Sequence, residues 1–238
     1  MPRGRTERFR HIKPFGIDAV AAAAGDAGDV LRMENLDTDI APPAAAIAAT
    51  RDAVGRANSW LPFTGLVPLR AAVAERLERQ TGRAYDPLAE VVITGGATPG
   101  LLSALLATVD HGDEVIVTDP CYAGFIGRIR LAGARPVFAP LAAVDGRWRL
   151  DPERLAAAVT ARTRALLLMS PSMPSGHVLD DAEWAAVAGA CERADAWLLY
   201  DAGMDEVLFD GIAPRHPAAL EPLAGARSRS AASPRTTA

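Results

Sequence analysis

The stretch Val91-Val92-Ile93-Thr94-Gly95-Gly96-Ala97-Thr98-Pro99-Gly100 decides the fold of this 238-residue chain. A β-branched run meets two glycines and enters the Ala- and Leu-rich segment 101–106, which predicts a strand, a tight turn and a helix start. Unpaired N–H groups at such a helix start favour an anion such as phosphate. Thr98 adds a hydroxyl, and Pro99 suits a first helical turn because it lacks an N–H. Taken alone, the stretch is more often an ordinary strand-to-helix turn.

Composition limits the class of protein. Half of the residues are hydrophobic and the formal net charge is −4, so neither nucleic acid nor an anionic membrane is an expected partner. No apolar run approaches the roughly 20 residues that a membrane span needs, and the basic start lacks the apolar core of a signal peptide. Cys121 and Cys191 have no metal-ligand spacing around them. We therefore expect no metal site, and two free thiols in a cytoplasmic protein.

Strand-like and helix-like segments alternate along the chain. The predicted helices cover 44–56, 66–80, 98–109, 122–132, 152–159 and 180–194, and the predicted strands cover 91–94, 114–118, 135–139, 165–169 and 196–200. The strands are continuous apolar runs, which indicates a mostly parallel sheet covered by helices on both faces. The sequence therefore predicts an α/β fold without internal repeats.

Polar and aromatic groups follow the ends of several predicted strands. These groups are the turn Gly96-Ala97-Thr98, the segment Asp119-Pro120-Cys121-Tyr122, the loop 170–176 (Ser-Pro-Ser-Met-Pro-Ser-Gly) and Asp201. Open α/β sheets bind their ligands beyond the carboxyl ends of the strands. We therefore expect a phosphate-binding turn, an aromatic ring, a loop rich in turn residues and a carboxylate on one edge of the sheet.

This set of motifs, in this order, resembles the large domain of fold-type I pyridoxal-phosphate enzymes of the class I/II aminotransferases. The resemblance extends from about residue 42 to about residue 220 and includes the loop Trp60–Gly65 and the segment Asp201–Gly211. It implies pyridoxal 5′-phosphate as cofactor, an amino acid and a keto acid as substrates, and a homodimer in the intact protein. It also implies an incomplete large domain over 41–224, and the basic and then Ala-rich composition before it predicts an N-terminal arm over 1–40.

The resemblance assigns cofactor-binding roles to individual residues. Gly96, Ala97 and Thr98 would hold the phosphate, with a plain helix cap as the structural alternative. Tyr122 would lie flat against the cofactor ring, since an aromatic face supplies area and orients it; otherwise it is a core tyrosine. Asp201 would pair with the ring nitrogen and keep it protonated, whereas a strand-end aspartate is commonly a turn residue.

Three positions depart from the family pattern. Met173 stands where the family has an asparagine, and Met204 stands where it has a tyrosine, both next to the oxygen on the cofactor ring. Because thioethers accept hydrogen bonds only weakly, these two methionines predict an apolar wall at that oxygen. Trp60 replaces a tyrosine that reaches the partner subunit's phosphate. Tryptophan cannot copy that phenol, so we expect Trp60 to pack at a dimer interface.

A further departure concerns the lysine that forms the Schiff base with the cofactor. In the family this lysine follows the Asp201 region in a Ser-x-x-Lys turn, but Lys13 is the only lysine of this chain. No catalytic residue is therefore predicted. Residues 225–238 contain no large apolar side chain, so we expect a disordered or out-of-frame tail. The expectation is a truncated, inactive form with an incomplete small domain.

Two classes of function remain open at this point. The first is a pyridoxal-phosphate enzyme, with aminotransferase chemistry favoured and lyase or decarboxylase chemistry on the same fold as an alternative. The second is a non-catalytic binding protein that keeps the large-domain fold. A nicotinamide-binding Rossmann enzyme is disfavoured, because Gly95-Gly96-Ala97-Thr98 lacks the Gly-x-Gly-x-x-Gly spacing.

Overall fold

A computed structural model describes residues 9, 12, 16–25, 28, 30–34, 40–56 and 59–224. The described residues form two compact units, one between 16 and 61 and one from 62 to 224 together with residues 9 and 12. The first unit contains helices α1 (Gly16–Ala24) and α2 (Ala44–Val54), whose side chains are all at least partly exposed. Lys13 and residues 225–238 lie outside the described residues. The predicted boundaries of the arm, the large domain and the tail stay predictions.

The second unit is built on a five-stranded sheet. Its elements in chain order are α3 (Val67–Thr81), α4 (Ala97–Thr108), β1 (Glu114–Asp119), α5 (Ala123–Leu131), β2 (Arg135–Val144), β3 (Arg147–Leu150), α6 (Pro152–Ala158), β4 (Thr163–Met169), α7 (Asp181–Ala194), β5 (Trp197–Asp201), a 3₁₀ turn (Pro217–Ala219) and α8 (Glu221–Ala224). The strand order is β3-β2-β1-β4-β5. β1, β2, β4 and β5 run parallel, and β3 is antiparallel to β2. The predicted α/β class with a mostly parallel sheet is confirmed.

Helices cover the sheet on both faces, as the continuous apolar strands predicted. Successive strand side chains point to opposite faces, so Leu167 packs with α4 and α5. Leu166 and Leu168 pack with α6 and α7 on the other face. All three are almost fully buried, because each face of the sheet has its own apolar cluster.

Local capping fixes several helix ends where the sequence placed them. Asp151 accepts hydrogen bonds from the first-turn N–H groups of α6, and Asp180 and Glu183 form a reciprocal capping box at the start of α7. Gly82 ends α3 in the left-handed conformation (φ 72°) that glycine adopts without strain. These short-range signals were sufficient because the groups involved are at most four residues apart.

The strand predicted over 91–94 is wrong. This segment is extended, but no strand pairs with it in the part of the chain that the structure describes. The Ile93 N–H instead donates to the carbonyl oxygen of Thr64 at 3.0 Å. A β-branched run fits an extended backbone, but a strand also needs a neighbouring strand, which composition does not supply.

The buried guanidinium of Arg70 supplies hydrogen bonds to this segment that a neighbouring strand would otherwise make. Its Nε donates to the Val91 carbonyl at 2.8 Å, its Nη2 to the Leu88 carbonyl at 2.7 Å and its Nη1 to Thr64 Oγ1 at 2.7 Å. Three neutral acceptors thus hold a cation that is only 5% exposed. The segment that leads into α4 is held by this side chain and by the Thr64 carbonyl.

One strand was missed. The sequence placed a turn at Asp145-Gly146, and both residues have positive φ (50° and 73°), as a two-residue hairpin turn requires. The prediction stopped β2 at residue 139, whereas β2 continues to Val144 and pairs with β3 across this turn. The outer part of this hairpin is exposed and carries arginines, so it lacks the apolar run on which the other strands were predicted.

Candidate active site

The parallel register places the ends of β1, β4 and β5 on one edge of the sheet. Met169 pairs with Asp201 across β4 and β5, and Ile116 pairs with Leu166 across β1 and β4. Asp119, the last residue of β1, therefore lies toward the same edge as Met169 and Asp201. We call this edge the carboxyl rim; it is formed by the residues that follow β1, β4 and β5.

The start of α4 reaches the same rim. α4 packs on the sheet through Leu101 and Leu105, and a short connection joins its end to the start of β1. Twelve helical residues span about 18 Å, and the six residues of β1 span about 20 Å. The helix therefore returns along the length of the strand, and its first residues lie level with the end of β1.

The turn before α4 is shaped for an anion. Gly96 has φ 96° and ψ 178°, a conformation that only glycine adopts readily, and no side chain of the described residues caps the helix start. Thr94 stiffens the turn, because its Oγ1 donates to the Gly96 carbonyl at 2.7 Å. Gly96 and Thr98 are exposed and Ala97 is half-buried. The first N–H groups of α4 are thus available to a negatively charged group.

Tyr122 follows β1 and stands directly before the first residue of α5. Its ring meets the ring of Phe125 edge to face, with centroids 5.5 Å apart. Tyr122, Met173 and Met204 all pack against the apolar cluster on the α4 and α5 face of the sheet. The aromatic ring and the two thioethers therefore lie on the same face of the sheet at the carboxyl rim.

Asp201 ends β5 and is 4% exposed. Leu199, two residues earlier, packs on the α4 and α5 face, while Tyr200 packs on the opposite face. Strand alternation therefore directs Asp201 toward the face that carries Tyr122. Asp201 Oδ1 accepts a hydrogen bond from the Gly203 N–H at 2.9 Å. A carboxylate buried at this position suits a cationic partner.

Hydrogen bonds that the sequence did not reveal hold the loop that contains Met173. The Tyr200 hydroxyl donates to the Ser170 carbonyl at 2.7 Å, and Ser170 Oγ accepts from the Leu179 N–H at 3.0 Å. The Ser172 N–H donates to the His177 carbonyl at 2.8 Å and closes the loop. Burial raises the pKa of Tyr200, so its hydroxyl stays protonated and keeps donating.

Glu183 anchors the end of the same loop. It is 4% exposed, and its Oε1 lies 2.9 Å from His177 Nε2 and accepts from the Leu150 N–H at 2.7 Å. Burial alone would raise the pKa of Glu183, but the hydrogen bonds from His177, Asp180 and Leu150 hold that pKa below its usual value. The sequence signal for Glu183 was its place in the capping box, which did not reveal the contact with His177.

The turn that carries Met204 is held by α3. Gln80 Nε2 donates to Asp205 Oδ2 at 3.2 Å, and Arg76 Nη2 donates to Glu206 Oε1 at 2.8 Å. Burial raises the pKa of Asp205, and the Arg76 charge opposes this shift. These pairs are more than 120 residues apart in sequence, and no local pattern marks them.

Cys121 lies next to Tyr122 but is not prepared for nucleophilic chemistry. Burial, and to a smaller extent the charge of Asp119, raises the pKa of Cys121 to about 11. The thiol is therefore protonated at neutral pH.

Among the described residues, no cluster of histidine, cysteine or acidic side chains is suited to a metal ion. No helix in the described part of the chain is long and apolar enough to cross a membrane.

The sequence and the fold match one protein family. The profile of the class I and II aminotransferases matches residues 28–211, a range that contains all seven predicted cofactor-binding residues. The chain belongs to this family. The resemblance drawn from the motifs is therefore confirmed at the level of the family and of the large-domain fold.

Individual aminotransferases show how much of the family's length the chain covers. It is 37% identical over 203 residues to a probable N-succinyldiaminopimelate aminotransferase of Mycobacterium tuberculosis, covering 84% of this chain and 51% of that protein. It is 36% identical to the arginine–pyruvate transaminase of Pseudomonas aeruginosa, covering 77% of this chain and 46% of that protein. The chain thus spans about half the length of these relatives.

A solved aminotransferase structure has the same fold. The N-succinyldiaminopimelate aminotransferase of Mycobacterium tuberculosis superposes with a TM-score of 0.86 at 32% sequence identity. The match covers 95% of this chain and 58% of that structure. The parallel sheet and the helices that cover it are therefore an aminotransferase large-domain fold.

Proposed function

We propose that this chain binds pyridoxal 5′-phosphate at the carboxyl rim and serves amino-group transfer between an amino acid and a keto acid. The observation that carries the proposal is the convergence of an uncapped helix start, an aromatic ring and a buried carboxylate on one rim of an aminotransferase fold. By the same family argument, we propose a homodimeric protein of the cytoplasm. Trp60, whose side chain is fully exposed, would then pack at the dimer interface.

The residues present fit the cofactor at three of its parts. The N–H groups of Ala97 and Thr98 and the Thr98 hydroxyl are suited to the phosphate, after the turn at Gly96. Tyr122 offers an aromatic face to the ring. Asp201 is suited to a protonated ring nitrogen, because a buried carboxylate is stabilised by an adjacent positive charge. The oxygen on the ring would meet Met173 and Met204, which supply packing rather than strong hydrogen bonds.

Each residue has a defined task in this proposal. Bound pyridoxal phosphate supplies the electron sink that amino-group transfer requires. Asp201 holds a proton on the ring nitrogen, which sustains that property of the ring. Tyr122 orients the ring and excludes water from one of its faces, while Ala97 and Thr98 fix the phosphate. Only Lys13 supplies an amine side chain in this sequence, so we assign no residue of this chain to covalent attachment of the cofactor.

Equilibrium dialysis of the purified chain against pyridoxal phosphate tests the proposal. We expect reversible binding that inorganic phosphate weakens. Asp201→Asn should lower the affinity by on the order of tenfold or more, because it removes the charge opposite the ring nitrogen. Asp119→Asn is the matched control, since Asp119 also ends a strand at the rim but is exposed. Equal affinities of Asp201→Asn and the wild-type chain would show that the assignment is wrong.

Borohydride reduction followed by mass spectrometry tests the role of lysine. We expect no stoichiometric covalent adduct, and a specific adduct at Lys13 would contradict the placement of that residue outside the site. A non-catalytic binding protein is the second candidate function, because Lys13 is the only lysine among these 238 residues. Cofactor binding without turnover of an amino acid and a keto acid supports this candidate for the 238-residue chain. Turnover with pyridoxal phosphate contradicts it.

A further inference from the structure

The edge of the Tyr122 ring occupies the space that a side chain at Gly124 would need. A Cβ atom at Gly124 would stand 2.4 Å from Tyr122 Cε1 and 2.9 Å from Tyr122 Cζ, closer than carbon atoms approach without displacement. Gly124 lies within helix α5, where any residue type adopts the backbone conformation. The glycine is therefore required by the space that the ring occupies rather than by its dihedral angles.

Two further groups confine the ring. Phe125 meets it edge to face, with an interplanar angle of 88°. Arg128 Nη1 donates to the Gly124 carbonyl at 2.5 Å. The same nitrogen would stand 2.4 Å from a Cβ at Gly124, so the guanidinium and the ring edge are neighbours over this glycine. The tyrosine ring thus has a fixed position between Gly124, Phe125 and Arg128.

We propose that Gly124 is a positioning residue for the cofactor ring. Because it lacks a side chain, the Tyr122 ring packs against α5 in the orientation that supports the cofactor. This inference rests on the proposed function. The end of a flexible arginine moves away from an added methyl group at little cost, whereas the tyrosine ring moves only by leaving its contact with Phe125. A methyl group at Gly124 therefore turns the ring out of its position.

The test compares two glycine-to-alanine variants of the same helix. Gly124→Ala should lower the affinity for pyridoxal phosphate about tenfold, the size expected when an aromatic contact is lost. Gly127→Ala is the matched control, because among the described residues a Cβ there would come within 4 Å of Ile12 Cγ2 alone, at an ordinary 3.9 Å. It brings the same gain in helix propensity without touching Tyr122. Equal affinities of the two variants in equilibrium dialysis overturn the proposal.

A double-mutant cycle with Tyr122→Ala separates positioning from general damage to the fold. If Gly124 acts through the ring, Gly124→Ala changes the affinity little once the ring is absent. If Gly124→Ala lowers the affinity for pyridoxal phosphate by the same factor with and without the Tyr122 ring, the proposal is overturned. This readout is specific, because a structural defect would weaken binding in both backgrounds.

Labelling of the tyrosine rings measures their position without the cofactor. The chain has only three tyrosines, so NMR contacts between the Tyr122 and Phe125 rings can be assigned by comparison with Tyr122→Ala. We expect Gly124→Ala to lose these contacts and Gly127→Ala to keep them; their retention in Gly124→Ala overturns the positioning role. Failure of the wild-type chain to bind pyridoxal phosphate refutes the proposed function and the cofactor part of this inference, while this measurement still decides whether Gly124 sets the ring.

Discussion

Acidification should destabilise the fold through His216. This imidazole is 5% exposed, its ring lies 5.3 Å from that of Tyr200, and its Nδ1 accepts a hydrogen bond from the Ala218 N–H at 3.2 Å. Nδ1 must therefore be unprotonated, which places the proton of the neutral ring on Nε2. A second proton would have to enter at Nδ1, where it breaks the bond to Ala218 and charges a buried ring.

The magnitude follows from the difference between the folded and unfolded states. Burial lowers the pKa of His216 from 6.5 to about 4. Below pH 6.5 the unfolded chain takes up a proton that the folded chain does not, so the free energy of unfolding falls as the pH falls. The loss extends from about pH 6.5 to about pH 4 and then stops. At about 1.4 kcal/mol per pKa unit, it reaches about 3 kcal/mol.

Urea unfolding between pH 7 and pH 4 measures this loss. His216→Asn is the test variant, because an asparagine oxygen accepts from an N–H two residues onward but does not titrate in this range. The difference in free energy of unfolding between wild type and His216→Asn should shrink by about 3 kcal/mol from pH 7 to pH 4. The exposed His111, changed to Asn, provides the control. A difference that stays constant across this range would refute the buried, neutral state of His216.

Two further substitutions test other buried charges. Glu114→Gln should lower the free energy of unfolding by about 1–3 kcal/mol, because it removes the carboxylate that Arg135 and Arg162 contact at 2.5 and 2.8 Å. The Thr160 hydroxyl and these arginines lower the pKa of Glu114 from 4.5 to about 2, against the effect of burial. The difference in free energy of unfolding between wild type and Glu114→Gln should therefore disappear in the same assay as the pH falls from 4.5 toward 2. Arg70→Lys should cost about 1–3 kcal/mol in urea unfolding, because an ammonium cannot reach three separated acceptors. An equal effect of Arg79→Lys, on an exposed side chain of the same helix, would contradict this reason.

The sheet and the residues it carries were predictable, because their signals are local. Apolar runs set the strands, Asp151 and Asp180 set helix starts, and the parallel arrangement then brought Asp201 and the start of α4 to one edge. The order of the strands, β3-β2-β1-β4-β5, was not predicted. Parallel strands joined by helices leave few arrangements open.

The supporting contacts could not be predicted, because they join distant parts of the chain. The extended segment 91–94 has the composition of a strand, but its hydrogen bonds are made by Thr64 and Arg70. His177 and Glu183 are close in sequence, yet their contact depends on how the loop of Met173 folds over α7. A single sequence shows which residues are able to make such bonds, but the tertiary fold selects the partners.

Helix α3 makes several of the long-range contacts that support the segments beside the sheet. Near its start, Arg70 holds the segment that leads into the turn at Gly96. Near its end, Arg76 and Gln80 hold the turn that carries Met204. From Arg70 to Gln80 a helix rises about 15 Å, so this one rigid element contacts two separate segments that lead into the carboxyl rim. The sheet therefore sets the positions of Tyr122, Met173 and Asp201, while α3 supports two segments that pair with no strand among the described residues. Strand patterns therefore indicated where the first group lies, whereas the composition of the two segments beside α3 did not reveal their partners.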